Sequence, residues 1–414
     1  MAKVKSFKAL RPAKGYGEKV AALPYDVMTS DEAREMVKGN PYSFLHIDKA
    51  EIDLPEGVGL YDPAVYAKAK ENMGRMTAEG IFVQDGIPAY YIYRLTMNGR
   101  TQTGVVGCVS IDDYLNGAVK RHELMLAGKE TDRINHVDTL DAQTGPIFLT
   151  CRPNDSLTDV ISRVAAENEP LYDFTADDGV GHAIWRADGA AAAEIRGIFV
   201  SIPSLYIADG HHRCSAAIKV GEMRRAANPG YTGDEEFNYF LSVIFPADQL
   251  RIMDYNRVVS DLNGMNTDEF LSSFLEKFTL TACSGDSSPR PAKRHTFGLY
   301  VDGRWYALAA KPGTWDDADP VSRLDVSILQ NNVLAPLLGI EDPRSDDRVD
   351  FVGGIRGLEG LEKRTRTDMK AAFAMFPPTM DDLMDVADGG LIMPPKSTWF
   401  EPKPRSGLLI HSIG

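Results

Sequence analysis

The stretch that most constrains this chain is Leu205–Arg225, LYIADGHHRCSAAIKVGEMRR. Leu205-Tyr206-Ile207-Ala208 reads as a short buried strand. Asp209-Gly210 supplies a turn, and from His211 onward Ala216, Ala217 and Val220 recur with a helical period. Strand, glycine turn and helix in that order aim free N–H groups and the positive end of a helix dipole at whatever lies before the turn. An anion, most simply a phosphate, is the matching guest. The same turn carries a carboxylate (Asp209), two imidazoles (His211, His212) and a guanidinium (Arg213). As purely structural residues, Asp209 would cap the helix and the histidines would be surface polar groups. Four such groups around one glycine favour a ligand site.

A chain of 414 residues is too long for one ordinary core, so two domains are expected. Asn228-Pro229-Gly230 opens the best linker, which divides the chain into 1–228, carrying the motif, and 229–414. Strand and helix patterns mix throughout, so the fold class is α/β (mixed α+β). Tyr42–Ile47 reads as a strand and Asp62–Glu79 as an amphipathic helix closed by Gly80. Ala89–Leu95 and Thr101–Val109 read as a hairpin around Asn98-Gly99. Gly15-Tyr16-Gly17 lacks the third glycine of a dinucleotide fingerprint and reads as a loop.

Three further polar concentrations stand out. Lys120-Arg121-His122-Glu123 is followed by a run from Lys129 to Gln143. If that run is helical, Asp132, His136 and Thr139 share a face, Lys129 and Gln143 lie within two turns and Arg133 lies beside it. A solvated, ion-paired helix is the plain account, but the run is short of apolar anchors and ends in Thr144-Gly145-Pro146. In the tail, Lys396, Lys403 and Arg405 make a proline-stiffened segment locally basic around Trp399. That segment suits three roles: clamping a phosphate, stacking a base, or tying the C-terminus down. Near the N-terminus, Pro24 aims Tyr25 and Asp26 outward. Asp26 alone reads as a turn residue, and its neighbours make it a site candidate.

Charge narrows the partners. The chain has 45 basic and 59 acidic side chains, net −14. That field repels nucleic-acid phosphates, and no Lys/Arg-rich run offsets it. Cys108, Cys151, Cys214 and Cys283 lack metal-ligand or redox spacing and suit a reduced compartment. The N-terminus lacks the apolar core of a signal peptide, and no run approaches the roughly 18 apolar residues of a membrane span. A cytoplasmic protein with a small-molecule partner is expected.

The Walker A, GxSxG and HExxH patterns are absent, so the familiar nucleotide-loop, hydrolase and zincin readings lack support. Phosphoryl transfer remains open. It needs positioned cations, a divalent metal held by oxygens and a group to orient the acceptor hydroxyl. Arg213, Lys120 and the helix amides would supply the positive field. Asp209, Glu123 or Asp26 would hold magnesium or act as base, and His211 or His212 would bind phosphate or move a proton.

IADGHHR (Ile207–Arg213) followed by a small-residue helix resembles the signature of the ParB/sulfiredoxin-like superfamily. Its members include partition nucleotide-hydrolysing proteins, sulfiredoxin and free-serine kinases, and in it the motif's loop binds nucleotide phosphate. More widely, the chain resembles a bacterial and archaeal family of uncharacterised conserved proteins. The matching pieces are LPYDV (Leu23–Val27), NPYSFLHI (Asn40–Ile47), GCVSIDDY (Gly107–Tyr114), KRHE (Lys120–Glu123), DAQTGPIF (Asp141–Phe148), IADGHHR and PPKSTWFEPKPRSGL (Pro394–Leu408). The resemblance implies a ParB/sulfiredoxin-like core elaborated by a second α+β domain. It implies a nucleotide-dependent phosphotransferase using ATP or ADP with magnesium on a small hydroxy metabolite such as free L-serine. Asp209, His211, His212 and Glu123 would be catalytic. Gly210, Arg213, Lys120, Arg121, His122, Lys396, Lys403 and Arg405 would bind nucleotide, and Asp209 and Asp26 metal. The kinases' catalytic glutamate has no clear counterpart, with Glu18 and Glu32 as candidates. A non-catalytic nucleotide-binding regulator, or a nucleic-acid-associated ParB-like protein, is the competing expectation.

Overall fold

Leu205–Asp209 forms a strand and His211–Ala227 a 17-residue helix, with Gly210 between them, as the apolar pattern predicts. The structure is a computed structural model that describes residues 2–124, 127–284 and 289–414, with the backbone alone at 127–129. The side chain of Lys129 therefore lies outside what is described. The protein has two units. The first comprises Met1–Arg121, Met125–Leu250 and Pro402–Gly414, and the second His122–Leu124 and Arg251–Glu401.

The first unit is organised by a nine-stranded mixed sheet. Its strands are β1 (Val4–Lys5), β2 (Tyr90–Met97), β3 (Arg100–Ser110), β4 (Val119–Lys120), β5 (Ile147–Cys151), β6 (Tyr172–Thr175), β7 (Gly181–Ala187), β8 (Leu205–Asp209) and β9 (Tyr239–Pro246). Their order is β4-β8-β5-β9-β3-β2-β7-β6, with β1 also on β3. The β4–β8 and β5–β9 pairs are parallel and the other pairs antiparallel. β2 and β3 make the expected hairpin around Asn98-Gly99. Leu205 to Ala208 are all buried, which suits a strand with neighbours on both edges and both faces covered.

The helices that bear on the site are α1 (Pro63–Ala78), α2 (Ala127–Leu140), α3 (Asp155–Glu167), α4 (Gly189–Ser201) and α5 (His211–Ala227). Leu157, Val160, Ile161 and Val164 of α3 and Ile195 and Phe199 of α4 join the sheet residues Ile92, Val105 and Trp185 in the main core. A second cluster gathers Val65, Ala69 and Met76 of α1 with Phe44, Leu45, Ile47, Leu140 and Ile410. Asp62 caps α1 by accepting from the Ala64 N–H at 2.8 Å.

Tyr42–Ile47 departs from expectation. The chain makes a short helix, Leu45–Asp48, instead of a strand. Leu45 and Ile47 turn inward from one helical turn, and the Ser43 hydroxyl accepts from the Leu45 N–H at 3.3 Å. A run this short and apolar does not distinguish the two periods. The helix places Asp48 where a strand would not.

The unit division also differs from the expected 1–228 and 229–414. Tyr239–Pro246 lies in the middle of the first unit's sheet, between β5 and β3, so the main passage to the second unit comes after Leu250. The last segment, Pro402–Gly414, then returns to it: Ser406 pairs with Ala22, and Ile410 with Leu10.

The second unit is built on a six-stranded antiparallel sheet. Its strands are β10 (Tyr255–Val259), β11 (Phe278–Ala282), β12 (Thr296–Val301), β13 (Arg304–Ala310), β14 (Val349–Gly353) and β15 (Ala371–Ala374), ordered β11-β13-β12-β15-β10-β14. Leu361 of α6 (Gly357–Thr367) packs with Val258, Val352 and Ala372. The architecture is thus mixed α+β. Among the described residues, no helix is long and apolar enough to cross a membrane.

Candidate functional site

At the end of β8 the chain turns through Gly210, whose φ of 88° and ψ of 32° are left-handed. A Cβ there would be strained and would sit 3.1 Å from Nη2 of Arg213. Glycine therefore lets the guanidinium fold back over the turn. Arg213 donates through Nη1 to the Pro146 carbonyl at 3.2 Å and faces Oδ2 of Asp209 at 3.5 Å. The other carboxylate oxygen, Oδ1, lies 3.2 Å from Nζ of Lys403. Burial disfavours the charge on Asp209, but Lys403 and then Arg213 outweigh it and hold the carboxyl below its usual range. The Lys403 side chain is only 7% exposed, so this ammonium serves as a buried counter-charge.

His211, the first residue of α5, is buried. Burial pushes its imidazole down to about 4, against the opposing pull of Asp209. Near pH 7 it is neutral, so it can offer a phosphate one N–H but no charge. His212 is half-buried beside it.

Beside the turn opens a small cleft. Its lining includes Tyr25, Asp48, Arg133, His136, Arg213 and Ser406. Arg133 of α2 lies 3.8 Å from the Tyr25 ring centroid and pairs with Asp132 at 2.7 Å. Burial opposes the Arg133 charge, yet Asp132, Tyr25 and Asp48 together raise its pKa. The Asp48 carboxylate accepts from the Thr144 hydroxyl at 2.9 Å and lies 3.7 Å from Nε2 of His136. His136 sits 3.2 Å from the Ile47 carbonyl, and burial, helped by Arg133, pushes it down to about 4. It too is neutral near pH 7. The cleft thus presents two guanidinium groups, one buried carboxylate and one neutral imidazole.

Several quoted sequence pieces meet here. Tyr25 comes from LPYDV, Gln143 to Gly145 and Ile147 from DAQTGPIF, Arg213 from IADGHHR and Ser406 from the tail. Asp48, one residue beyond NPYSFLHI, was not singled out, because the run before it read as a strand. Asp26 is exposed on the same short turn as Tyr25. Lys120 pairs in register with Tyr206 of β8, and Arg121 reaches the Tyr114 hydroxyl at 3.5 Å and adds to the downward push on His211.

Arg405 goes elsewhere. Its buried guanidinium pairs with the exposed Asp178 and donates to Nε2 of buried His182 at 3.2 Å, beside Tyr93. Its expected place on a nucleotide is therefore taken by this structural pairing. His122, Glu123 and Lys396 belong to the second unit. Glu18 is exposed on a short helix. Glu32 is occupied in a capping box with Thr29.

The donor set fits a protein-held magnesium ion poorly. Both Asp209 oxygens face cations, and among the described residues no three His, Cys, Asp or Glu side chains cluster as a metal site.

Solved structures that align with this chain include a free serine kinase in complex with AMP, 12% identical, with 73% of this chain and 90% of that chain covered at a TM-score of 0.38. A conserved hypothetical protein from Pyrococcus furiosus is 12% identical over 73% and 93% of the two chains, TM-score 0.37. C-terminally truncated SbnI from Staphylococcus aureus is 10% identical over 72% and 84%, TM-score 0.37. No curated protein matches the chain in sequence. The family described as a protein of unknown function (DUF1015) matches residues 4–327, and the chain belongs to that family.

Proposed function

We propose that the chain is a nucleotide-dependent phosphotransferase. It takes ATP or ADP in the cleft beside the Gly210 turn and passes a phosphoryl group to a small hydroxy metabolite, with free L-serine the first acceptor to test. The observation that carries this reading is Arg213, fixed by Gly210 and the Pro146 carbonyl at the amino end of α5 on the rim of the cleft. Phosphoryl transfer spreads negative charge over the equatorial oxygens, so cationic donors and free amides must dominate around the phosphate. Arg213, Arg133 and the first-turn amides of α5 meet that need. Asp209 is the carboxylate assigned to orient the acceptor hydroxyl, and Asp48 is the second carboxylate on the cleft. Magnesium enters in this reading on the nucleotide's phosphates, as part of the substrate. The ParB/sulfiredoxin-like relationship rests on the same strand, glycine turn and helix. A reducing cytoplasm suits the four free cysteines.

The pairing of Asp209 with both Lys403 and Arg213 supports a second reading, a nucleotide sensor that binds without turnover. One experiment separates them. The protein is incubated with magnesium, ATP or ADP and a panel of small hydroxy compounds, and the products are followed by phosphorus NMR. Phosphorylated acceptor supports the kinase. Binding without product supports the sensor. DNA retention at moderate salt without nucleotide binding would overturn both.

A further inference from the structure

We infer that the second unit holds a phosphate-binding site of its own, formed where Arg257, Lys396 and Trp399 meet over the β10–β14 corner of its sheet. The site begins with sheet register. Arg257 on β10 stands opposite Phe351 on β14, and Tyr255 stands opposite Gly353. Tyr255 and Arg257 are two apart, so they share a face. On that face Arg257 lies 5.3 Å from the Phe351 ring centroid, and the Tyr255 and Phe351 rings are 6.0 Å apart. Trp399 packs edge-on to Tyr255 at 5.0 Å and lies against Gly353, where a Cβ would come within 2.9 Å of the indole. Lys396, exposed, brings Nζ to 5.9 Å from the Tyr255 centroid.

The feature that points to a ligand is the company Arg257 keeps. Three arginines are buried among the described residues: Arg133, Arg257 and Arg405. Arg133 has Asp132 and Arg405 has Asp178. Among the described residues Arg257, 3% exposed, has no carboxylate partner and donates to the Tyr255 and Pro395 carbonyls, the latter at 3.1 Å. A buried guanidinium without a counter-charge is costly, and an arriving anion relieves that cost. Burial pushes the Arg257 pKa down to about 10, as expected of a cation short of a partner. The carboxylates nearby are engaged. Glu401 accepts from the Trp399 indole at 3.2 Å, and Asp254 takes Asn256 at 2.7 Å and Arg290 at 3.2 Å. A planar guanidinium beside a mobile ammonium suits a phosphate group, which the first can grip through two N–H bonds and the second as a point charge.

The site is tested on the full chain with pyrophosphate as probe, following binding by calorimetry and by tryptophan emission. Read by tryptophan emission, Lys396→Met, at an exposed position, is expected to weaken pyrophosphate binding about tenfold, and Arg257→Met to abolish the emission change. The emission change is expected to disappear in Trp399→Phe and to persist in Arg213→Ala, which alters only the first unit's cleft. The proposal is overturned if the emission change in Lys396→Met titrates at the same pyrophosphate concentration as in the parent protein. It is overturned equally if the emission change survives in Trp399→Phe or is lost in Arg213→Ala.

Discussion

Lys403 and Asp209 lie 3.2 Å apart, Nζ to Oδ1, so a lysine of the tail neutralises the carboxylate of the Gly210 turn. Removing the ammonium leaves Asp209 to Arg213 alone. Lys403→Met is expected to cost about 1–3 kcal/mol, less than a fully buried pair because Asp209 is 32% exposed. The folded-state pKa of Asp209 is depressed, so its contribution is present above the unfolded value of about 3.9 and lost as pH falls through the lower folded value. Urea midpoints measured against pH in both proteins check the loss and its acid limb.

Arg213→Ala should weaken ADP binding by about 1.5–3 kcal/mol, roughly 10- to 150-fold, as expected for a charge-assisted hydrogen bond. Asp209→Asn should spare most of that binding and abolish turnover. Titration calorimetry and a product assay on the two variants decide it. Parent-like ADP affinity in Arg213→Ala would falsify the phosphate-cradle reading of the turn.

Three buried histidines set an acid limit. Burial holds His136 and His211 at about 4 and His182 at about 3. With folded values below the unfolded value of about 6.5, the unfolded chain takes up protons first as pH falls. Stability is therefore expected to be full above pH 6.5 and to decline steadily toward pH 4. Together the three histidines cost several kcal/mol over that range. Unfolding free energies measured between pH 8 and 4 would show it, and imidazole NMR signals that shift near pH 6.5 in the native protein would contradict it.

Arg405→Met takes from the exposed Asp178 its ion-pair partner and leaves buried His182 with the Tyr93 hydroxyl. A loss of about 1–3 kcal/mol is expected, less than for a fully buried pair because Asp178 is 41% exposed, with ADP affinity little changed in the molecules that remain folded. The same variant separates two basic residues of one tail: Lys403 serves the turn, Arg405 the fold.

Local signals carried much of the site. The apolar run, glycine and helical period of Leu205–Arg225 lie within a few residues of one another, and strand, turn and helix formed where they indicated. The Asn98-Gly99 hairpin was legible for the same reason. What could not be read was set by partners distant in sequence. Lys396 and Lys403 look alike in composition, yet one goes to the second unit and the other to Asp209. Asp48 was hidden because one helical turn and a short strand share the same apolar content. Nothing local to Arg257 indicates that it lacks a carboxylate, since that depends on every element packed around it.

The return of Pro402–Gly414 to the first unit fixes an order of events during synthesis. Ser406 pairs with Ala22, Ile410 with Leu10, and Lys403 with Asp209, so these contacts wait until the whole of Arg251–Glu401 has been translated. A nascent chain stalled before Pro402 holds an Asp209 without its lysine, and Leu10 and Ala22 without their bridge partners. The Gly210 turn therefore leaves the ribosome without its counter-charge and gains it only once Pro402–Gly414 has followed.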